Sequence, residues 1–211
     1  MRFRSLVNRQ NALSADCLSA LHKQWLGPQG VFATLGAEID RLGRQAPILE
    51  ELLEFTDGAR AEAAERAVTF ALAQSNRCAA VVNPFSGFSR EALCCVVFDD
   101  SGVYSLVERY AAYEAMRDSD SDFFIKLIAT TRGVVERRIV FRGLLEHFDR
   151  LLPVEKNIYP QTYRETQQAH LDREEAMYGP LVLSDSLMVL LHSISAVELM
   201  EKVRPTAGSS T

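Results

Sequence analysis

With 211 residues, 47% of them hydrophobic and 24% charged, the chain can bury a full core, which excludes wholesale disorder. A formal charge of −5 and a pI near 5.5 argue against a dedicated nucleic-acid binder, because neutralising phosphates needs a clustered positive field. The four cysteines, Cys17, Cys78, Cys94 and Cys95, form no C-x-x-C pair and lie at no metal spacing from a His, so they read as reduced thiols of a cytoplasmic protein.

Residues 1–12 read as a flexible arm. Arg2, Arg4 and Arg9 precede no apolar segment of the kind a secretory signal needs. Ser14 is placed to cap a helix running to about Leu26, with Leu18, Leu21 and Trp25 on one face and Gly27-Pro28 as its stop. A second helix over about 29–43 carries Phe32, Leu35, Ile39 and Leu42 at helical spacing. Pro47 suits a first helical turn, followed by Ile48, Leu49, Leu52 and Leu53. Thr56-Asp57 then predicts the cap of a helix over about 59–75. Ala64, Ala67, Val68, Ala71 and Leu72 form its apolar stripe, and Arg60, Glu62, Glu65 and Arg66 its water face.

The pattern changes after residue 77. Cys78 to Val82 reads as a short strand and Asn83-Pro84-Phe85-Ser86-Gly87-Phe88 as a loop. Leu93 to Phe98 is apolar on both faces, as a central strand would be, with Cys94 and Cys95 on opposite sides. Asp99-Asp100-Ser101-Gly102 predicts a tight turn. Val103 to Glu108 fits a third strand paired back, or residues 103–116 fit one helix. Asp118 to Asp122 reads as a polar break, Phe123 to Ala129 as a strand, Thr130 to Gly133 as a turn and Val135 to Phe141 as the returning strand. Leu144 to Leu152 is a short helix or a further strand, and Pro153 to Pro160 a loop. A very polar helix over 161–178 ends at Gly179-Pro180. Asp185 to Lys202 is a helix apolar nearly all round, suited to burial or to an interface. Pro180 to Met200 is the longest apolar stretch, but Asp185, Ser186, His192 and Ser193 interrupt it, so no membrane span is expected.

Together these elements predict a single α+β domain over 13–203, with 204–211 a disordered tail. Helices over 13–76 and 161–203 would flank a mostly antiparallel central sheet of about four to five strands over 77–152.

Familiar fingerprints of chemistry are absent: no G-x-G-x-x-G, Walker loop, G-x-S-x-G elbow or H-E-x-x-H occurs. Asp118, Asp120 and Asp122 begin like a calcium loop, but Phe123 stands where its glycine belongs and Ala129 where its glutamate belongs, so no metal site is expected. Glu146, His147 and Asp149 could supply an acid–base set, with Cys95 as a nucleophile. His170, with Asp172, Glu174 and Glu175, reads as a solvated face, and His192 as a core or interface residue. The loop aromatics Phe85 and Phe88, with Tyr104, Tyr110 and Tyr113 nearby in a hairpin, suit a pocket lip or a partner contact. Trp25 either packs on the body or anchors a partner.

The leading expectation is a non-enzymatic binding module, a regulatory or sensor domain or an adaptor or chaperone. It would take a small-molecule ligand or a protein partner through the sheet and its loops, using Phe85, Phe88, Tyr104, Tyr110 and Trp25. The last helix would close the pocket or pack in a homodimer. The rivals are a small-molecule enzyme built on His147 with Glu146 or Asp149, and a prosthetic-group sensor using His147, His170 or His192. The residues point to no particular cofactor.

Overall fold

The computed structural model describes residues 2–49, 58–75, 79–130 and 136–203. Among these residues the regular structure is helical throughout and contains no strand. In chain order the elements are α1 (Phe3–Asn11), α2 (Ala15–Trp25), α3 (Val31–Leu42), a 3-10 turn (Gly43–Gln45), α4 (Gly58–Gln74), α5 (Arg90–Val97) and the long α6 (Leu106–Ala129). They continue as α7 (Arg137–Arg150), α8 (Pro153–Lys156), α9 (Tyr163–Tyr178), α10 (Leu187–Ser193) and α11 (Ala196–Val203).

Serine side chains start many of these helices. Ser14, Ser89 and Ser186 accept hydrogen bonds from the N–H groups of Cys17 (3.2 Å), Ala92 (3.3 Å) and Val189 (3.4 Å), satisfying donors that a first helical turn leaves unpaired. Reciprocal capping boxes start α6 and α11. At the start of α6, Glu108 accepts from the Ser105 N–H at 2.9 Å while Ser105 Oγ accepts from the Glu108 N–H at 3.4 Å. At the start of α11, Glu198 accepts from the Ser195 N–H at 2.8 Å and Ser195 Oγ from the Glu198 N–H at 3.2 Å.

The chain divides into two compact units, Met1–Asp118 and Ser119–Thr211. In the first, α1 packs on α5, α2 on α3, and α3 on α4. Its buried side chains include Phe32, Leu35 and Ile39 of α3, Ala67, Val68 and Ala71 of α4, Cys94 and Val97 of α5, and Val107, Ala111 and Ala112 of α6. Glu108, 1% exposed, is neutralised by Arg60, whose Nη2 donates to it at 2.7 Å and to the Val103 carbonyl at 2.5 Å.

In the second unit, Phe123 and Leu127 of α6 meet Ile139 of α7, Leu187, Leu190 and Leu191 of α10, and Leu199 of α11 in one apolar cluster. Gly143 lets α7 come close: a Cβ there would lie 2.7 Å from Leu127 Cδ1. Arg138 ties the start of α7 to the end of α9. Its Nε and Nη2 donate to the two Glu136 carboxylate oxygens, each at 2.8 Å, and its Nη1 donates to the Tyr178 and Gly179 carbonyls at 3.1 and 2.6 Å. That guanidinium holds the Glu136 carboxyl below its ordinary value.

The expected α+β fold with a central sheet is therefore overturned. Leu93 to Phe98 belongs to α5 and its C-cap, not to a central strand. A short apolar run has no period of its own, and the Ser89 cap decides in favour of helix. Cys94 is fully buried on that helix and Cys95 half-buried. Residues 103–116 follow the helical alternative from Leu106 onward, without a hairpin. The polar break at Asp118–Asp122 and the strand at Phe123–Ala129 are both interior to α6. The aspartates sit at exposed or half-exposed positions, and Asp122 pairs with Lys126 one turn on at 2.9 Å. Residues 137–141, read as the returning strand, open α7, and 144–150 complete it. The apolar helix expected over 185–202 is two helices, broken at Ile194-Ser195 by the second capping box, and His192 is exposed on the chain, not in its core. The expected flexible arm is helical over Phe3–Asn11, with Leu6 2% exposed. The Thr56-Asp57 cap, Leu52, Leu53, Cys78, Val135 and the tail 204–211 lie outside the described residues.

Removing the buried carboxylate at the head of α6 takes away the acceptor of the Ser105 N–H and hydroxyl and one of the acceptors of Arg60. Glu108→Ala is expected to lower unfolding stability by about 3 kcal/mol, and Glu108→Gln by less, since an amide oxygen still accepts from Ser105. Urea melts of the full chain measure this; a loss below roughly 1 kcal/mol would mean the cap contributes no more than a surface pair.

Candidate functional site

Two helices of the first unit present matching stripes. On α3, Ala33, Gly36, Ala37 and Asp40 follow at steps of three, one and three; on α6, Tyr110, Tyr113, Glu114 and Arg117 do the same. Those steps place each set on one face of its helix. Small side chains on one wall and large rings on the other leave an open groove of about 590 Å3, with Leu26, Gly27 and Pro28 completing its wall. At Gly36 the helices are close: a Cβ would lie 3.3 Å from the Tyr110 hydroxyl oxygen.

Phe32, 1% exposed, is the aromatic base of the groove. It stacks on Tyr113 with ring centroids 4.8 Å apart and planes 18° apart, and meets Tyr110 at 6.5 Å and Trp25 at 5.5 Å. The charged lining is Asp40, Glu114 and Arg117. Arg117 Nη1 donates to Glu114 at 3.0 Å, and its guanidinium carbon lies 5.7 Å from the Tyr113 ring centre. Burial, reinforced by the Glu114 and Asp40 charges, pushes the Tyr110 hydroxyl up to about 12, so it is a neutral donor at physiological pH.

The residues singled out from sequence fall into two groups. Tyr110 lines the groove. Trp25 supports it through Phe32 but is itself half-buried, with the Arg109 guanidinium 3.9 Å above its ring, so its face is occupied by the chain's own cation. Arg109 is anchored in turn by donating from Nε to the Val97 carbonyl at 2.9 Å. Phe85, Phe88 and Tyr104 form a separate aromatic cluster and line none of the groove. Phe85 is 8% exposed and meets Phe88 at 5.5 Å and Tyr104 at 6.4 Å, while Phe88 is 51% exposed. Their loop is pinned by Asn83, which donates from its amide to the Ala111 carbonyl at 2.8 Å and accepts from the Phe85 N–H at 2.9 Å. Phe85 is thus a packing residue.

Sequence reasoning passed over Gly36, Asp40, Glu114 and Arg117. The signal that finds them is the repeated helical stripe, visible only once residues 106–117 are read as helix. The Ser105-x-x-Glu108 capping box announces that helix.

Between α5 and α6, Asp99 (3% exposed) organises the connecting turn. It accepts from the Ser101 hydroxyl at 2.6 Å and from the N–H groups of Ser101, Val103 and Tyr104 at 3.3, 3.1 and 3.3 Å, while Gly102 takes φ 74°. Burial, the largest influence, works against ionisation. The hydrogen bonds from Ser101, Tyr104 and Val103 together outweigh it and hold the carboxyl below its ordinary value.

In the second unit the expected acid–base set is not assembled. Glu146 pairs with Arg142 at 3.2 Å, and Asp149 takes two hydrogen bonds from Arg164 at 2.8 and 3.0 Å. His147, 6% exposed, faces the rings of Phe123 and Phe124 at 6.0 and 4.6 Å. Its Nε2 lies 3.4 Å from Asp120, within ion-pair reach without forming a hydrogen bond. His170 stacks on Phe141 at 5.1 Å. In the first unit, burial pushes the Cys95 thiol up, which disfavours a nucleophilic thiolate. Among the described residues no group of three or more His, Cys, Asp or Glu side chains is placed to hold a metal ion. Comparisons with protein-family models, curated proteins and solved structures returned no match.

Two outcomes follow from the turn and the loop. A carboxyl held below its ordinary 3.8 adds stability above that value and loses it as pH falls through the folded-state value. Asp99→Ala is therefore expected to cost roughly 2 kcal/mol at neutral pH, with the deficit shrinking as pH drops below about 4, read from urea melts across pH. Phe85→Ala is expected to cost about 3 kcal/mol and Phe88→Ala under about 1 kcal/mol, so the double change is a folding lesion carried by Phe85 and not a clean test of binding.

Proposed function

We propose that this chain is a binding module, acting by capture and not by catalysis, and that its first unit takes a small amphipathic molecule in the groove between α3 and α6. One observation carries the reading: a groove of about 590 Å3 that joins aromatic rings to a few convergent polar groups, Asp40, Glu114, Arg117 and the Tyr110 hydroxyl. That volume lies within the range of small-ligand sites. The dispersal of Glu146, His147 and Asp149 onto separate partners favours capture over acid–base chemistry.

A regulatory or sensor role fits such a module, because a ligand that binds one arrangement of α3 and α6 better than another shifts their populations. A cytoplasmic setting is part of the proposal and draws support from Cys17, Cys94 and Cys95, none of which is joined in a disulfide. Among the described residues no helix is long and apolar enough to cross a membrane.

Ala37 is exposed on the groove wall, so a large side chain there fills the groove while disturbing little else. Ala37→Trp is expected to abolish binding of amphipathic aromatic fragments, followed by ligand-observed NMR, while leaving the helical circular-dichroism spectrum and melting temperature near wild type. Fragment binding that is absent from the wild type, or equal in wild type and the folded variant, overturns the groove as the site. Native mass spectra of the same samples count subunits and so test the expected homodimer.

A further inference from the structure

We infer that the groove selects an uncharged ligand, an apolar body bearing a carbonyl-type acceptor, and that the Tyr110 hydroxyl donates the hydrogen bond that recognises it. This rests on the groove reading above and adds to it the chemical class of the ligand.

The charged side chains of the lining are already engaged by the chain. Arg117 Nη1 donates to Glu114 at 3.0 Å, and its guanidinium carbon lies 5.7 Å from the Tyr113 ring centre. Asp40 likewise interacts within the chain. A charged ligand group would have to draw Arg117 off Glu114 or displace a contact of Asp40, and would lose hydration on entering. A neutral polar group incurs neither cost.

The Tyr110 hydroxyl differs from its neighbours. It lines the groove and makes no hydrogen bond among the described residues. Glu114 and Asp40 act on it through their charges, and neither accepts its proton. Burial and those charges keep the hydroxyl protonated throughout the physiological range, so the donor is always present. A ligand acceptor uses that proton, whereas a ligand donor approaching the oxygen would leave it without an acceptor.

Packing fixes where the donor stands. The Tyr110 ring is half-buried and meets Phe32 at 6.5 Å, which holds the hydroxyl oxygen in place while its proton rotates to suit a partner. The oxygen faces Gly36, where a Cβ would lie 3.3 Å away, so the absence of a side chain on α3 keeps the hydroxyl uncovered. Ala33 and Ala37, one helical turn apart on that wall, leave the width for the apolar body.

Acetophenone and ethylbenzene have nearly the same shape and differ by a carbonyl against a methylene. Both are titrated into the full chain and into Tyr110→Phe, which removes the oxygen and keeps the ring, and are followed by ligand-observed NMR. The variant is expected to weaken acetophenone about fivefold and to leave ethylbenzene unchanged or tighter. Loss of a merely structural role would weaken the two alike. In the wild type, benzoate and benzylammonium are each expected to bind more weakly than acetophenone, a comparison that needs no variant. Equal losses of acetophenone and ethylbenzene in Tyr110→Phe, or a charged relative that binds tighter than acetophenone, overturn this inference; the groove stands if Ala37→Trp abolishes their binding. Probes that all fail to bind, or that bind Ala37→Trp as well as wild type, overturn the groove reading and this inference together.

Discussion

Glu108 is a carboxylate almost wholly removed from water, and the first unit is arranged around its neutralisation. It collects a guanidinium from α4 through Arg60 at 2.7 Å and the N–H and hydroxyl of Ser105, both at 2.9 Å. An isolated buried charge would cost several kcal/mol, so these partners are required, not ornamental. The same contacts fix where α6 begins. Because a helix advances by a set angle per residue, fixing its start also fixes the direction in which Tyr110, Tyr113, Glu114 and Arg117 point.

That phase meets a helix chosen for smallness. α3 buries Phe32, Leu35 and Ile39 on one side and offers Ala33, Gly36 and Ala37 on another. The first set holds the helix in place, and the second leaves room beside it. The groove therefore follows from a mismatch in side-chain size between two well-anchored helices. Nearby, Arg109 stacks on Trp25 and donates to the end of α5, binding α2, α5 and α6 through one cation. In the second unit the same logic serves packing alone: Gly143 admits Leu127, and Arg138 bridges the start of α7 to the end of α9.

Much of the helical content was legible. α2, α3 and α4 follow from apolar spacing, with Ser14 marking the start of α2, and α9 from a polar stretch closed by Gly179-Pro180. The middle of the chain was misread for two reasons. Leu93 to Phe98 is too short and too uniformly apolar to show a period, and the aspartates of α6 are poor helix formers by intrinsic preference. Tertiary burial on the far side of α6, at Phe123 and Leu127, overrides that preference. The capping boxes at Ser105–Glu108 and Ser195–Glu198 were the local signals that would have corrected both the strand pairing and the over-long last helix.

The candidate site was only partly in reach. Tyr110 and Trp25 were flagged as aromatic, yet the residues that give the groove its charge and width were not, because nothing local distinguishes Asp40 from any other solvent-facing carboxylate. What the amino-acid order determined by itself was helix starts, helix faces and the absence of familiar catalytic motifs, all of which depend on neighbours within a few residues. What only the tertiary structure decided was which two faces stand opposite each other. Asp40 and Glu114 are 74 residues apart in the chain. Their meeting depends on side-chain packing and on the partly buried Arg60–Glu108 pair that joins α4 to α6 across 48 residues of chain, neither of which has a signature within a single stretch of sequence.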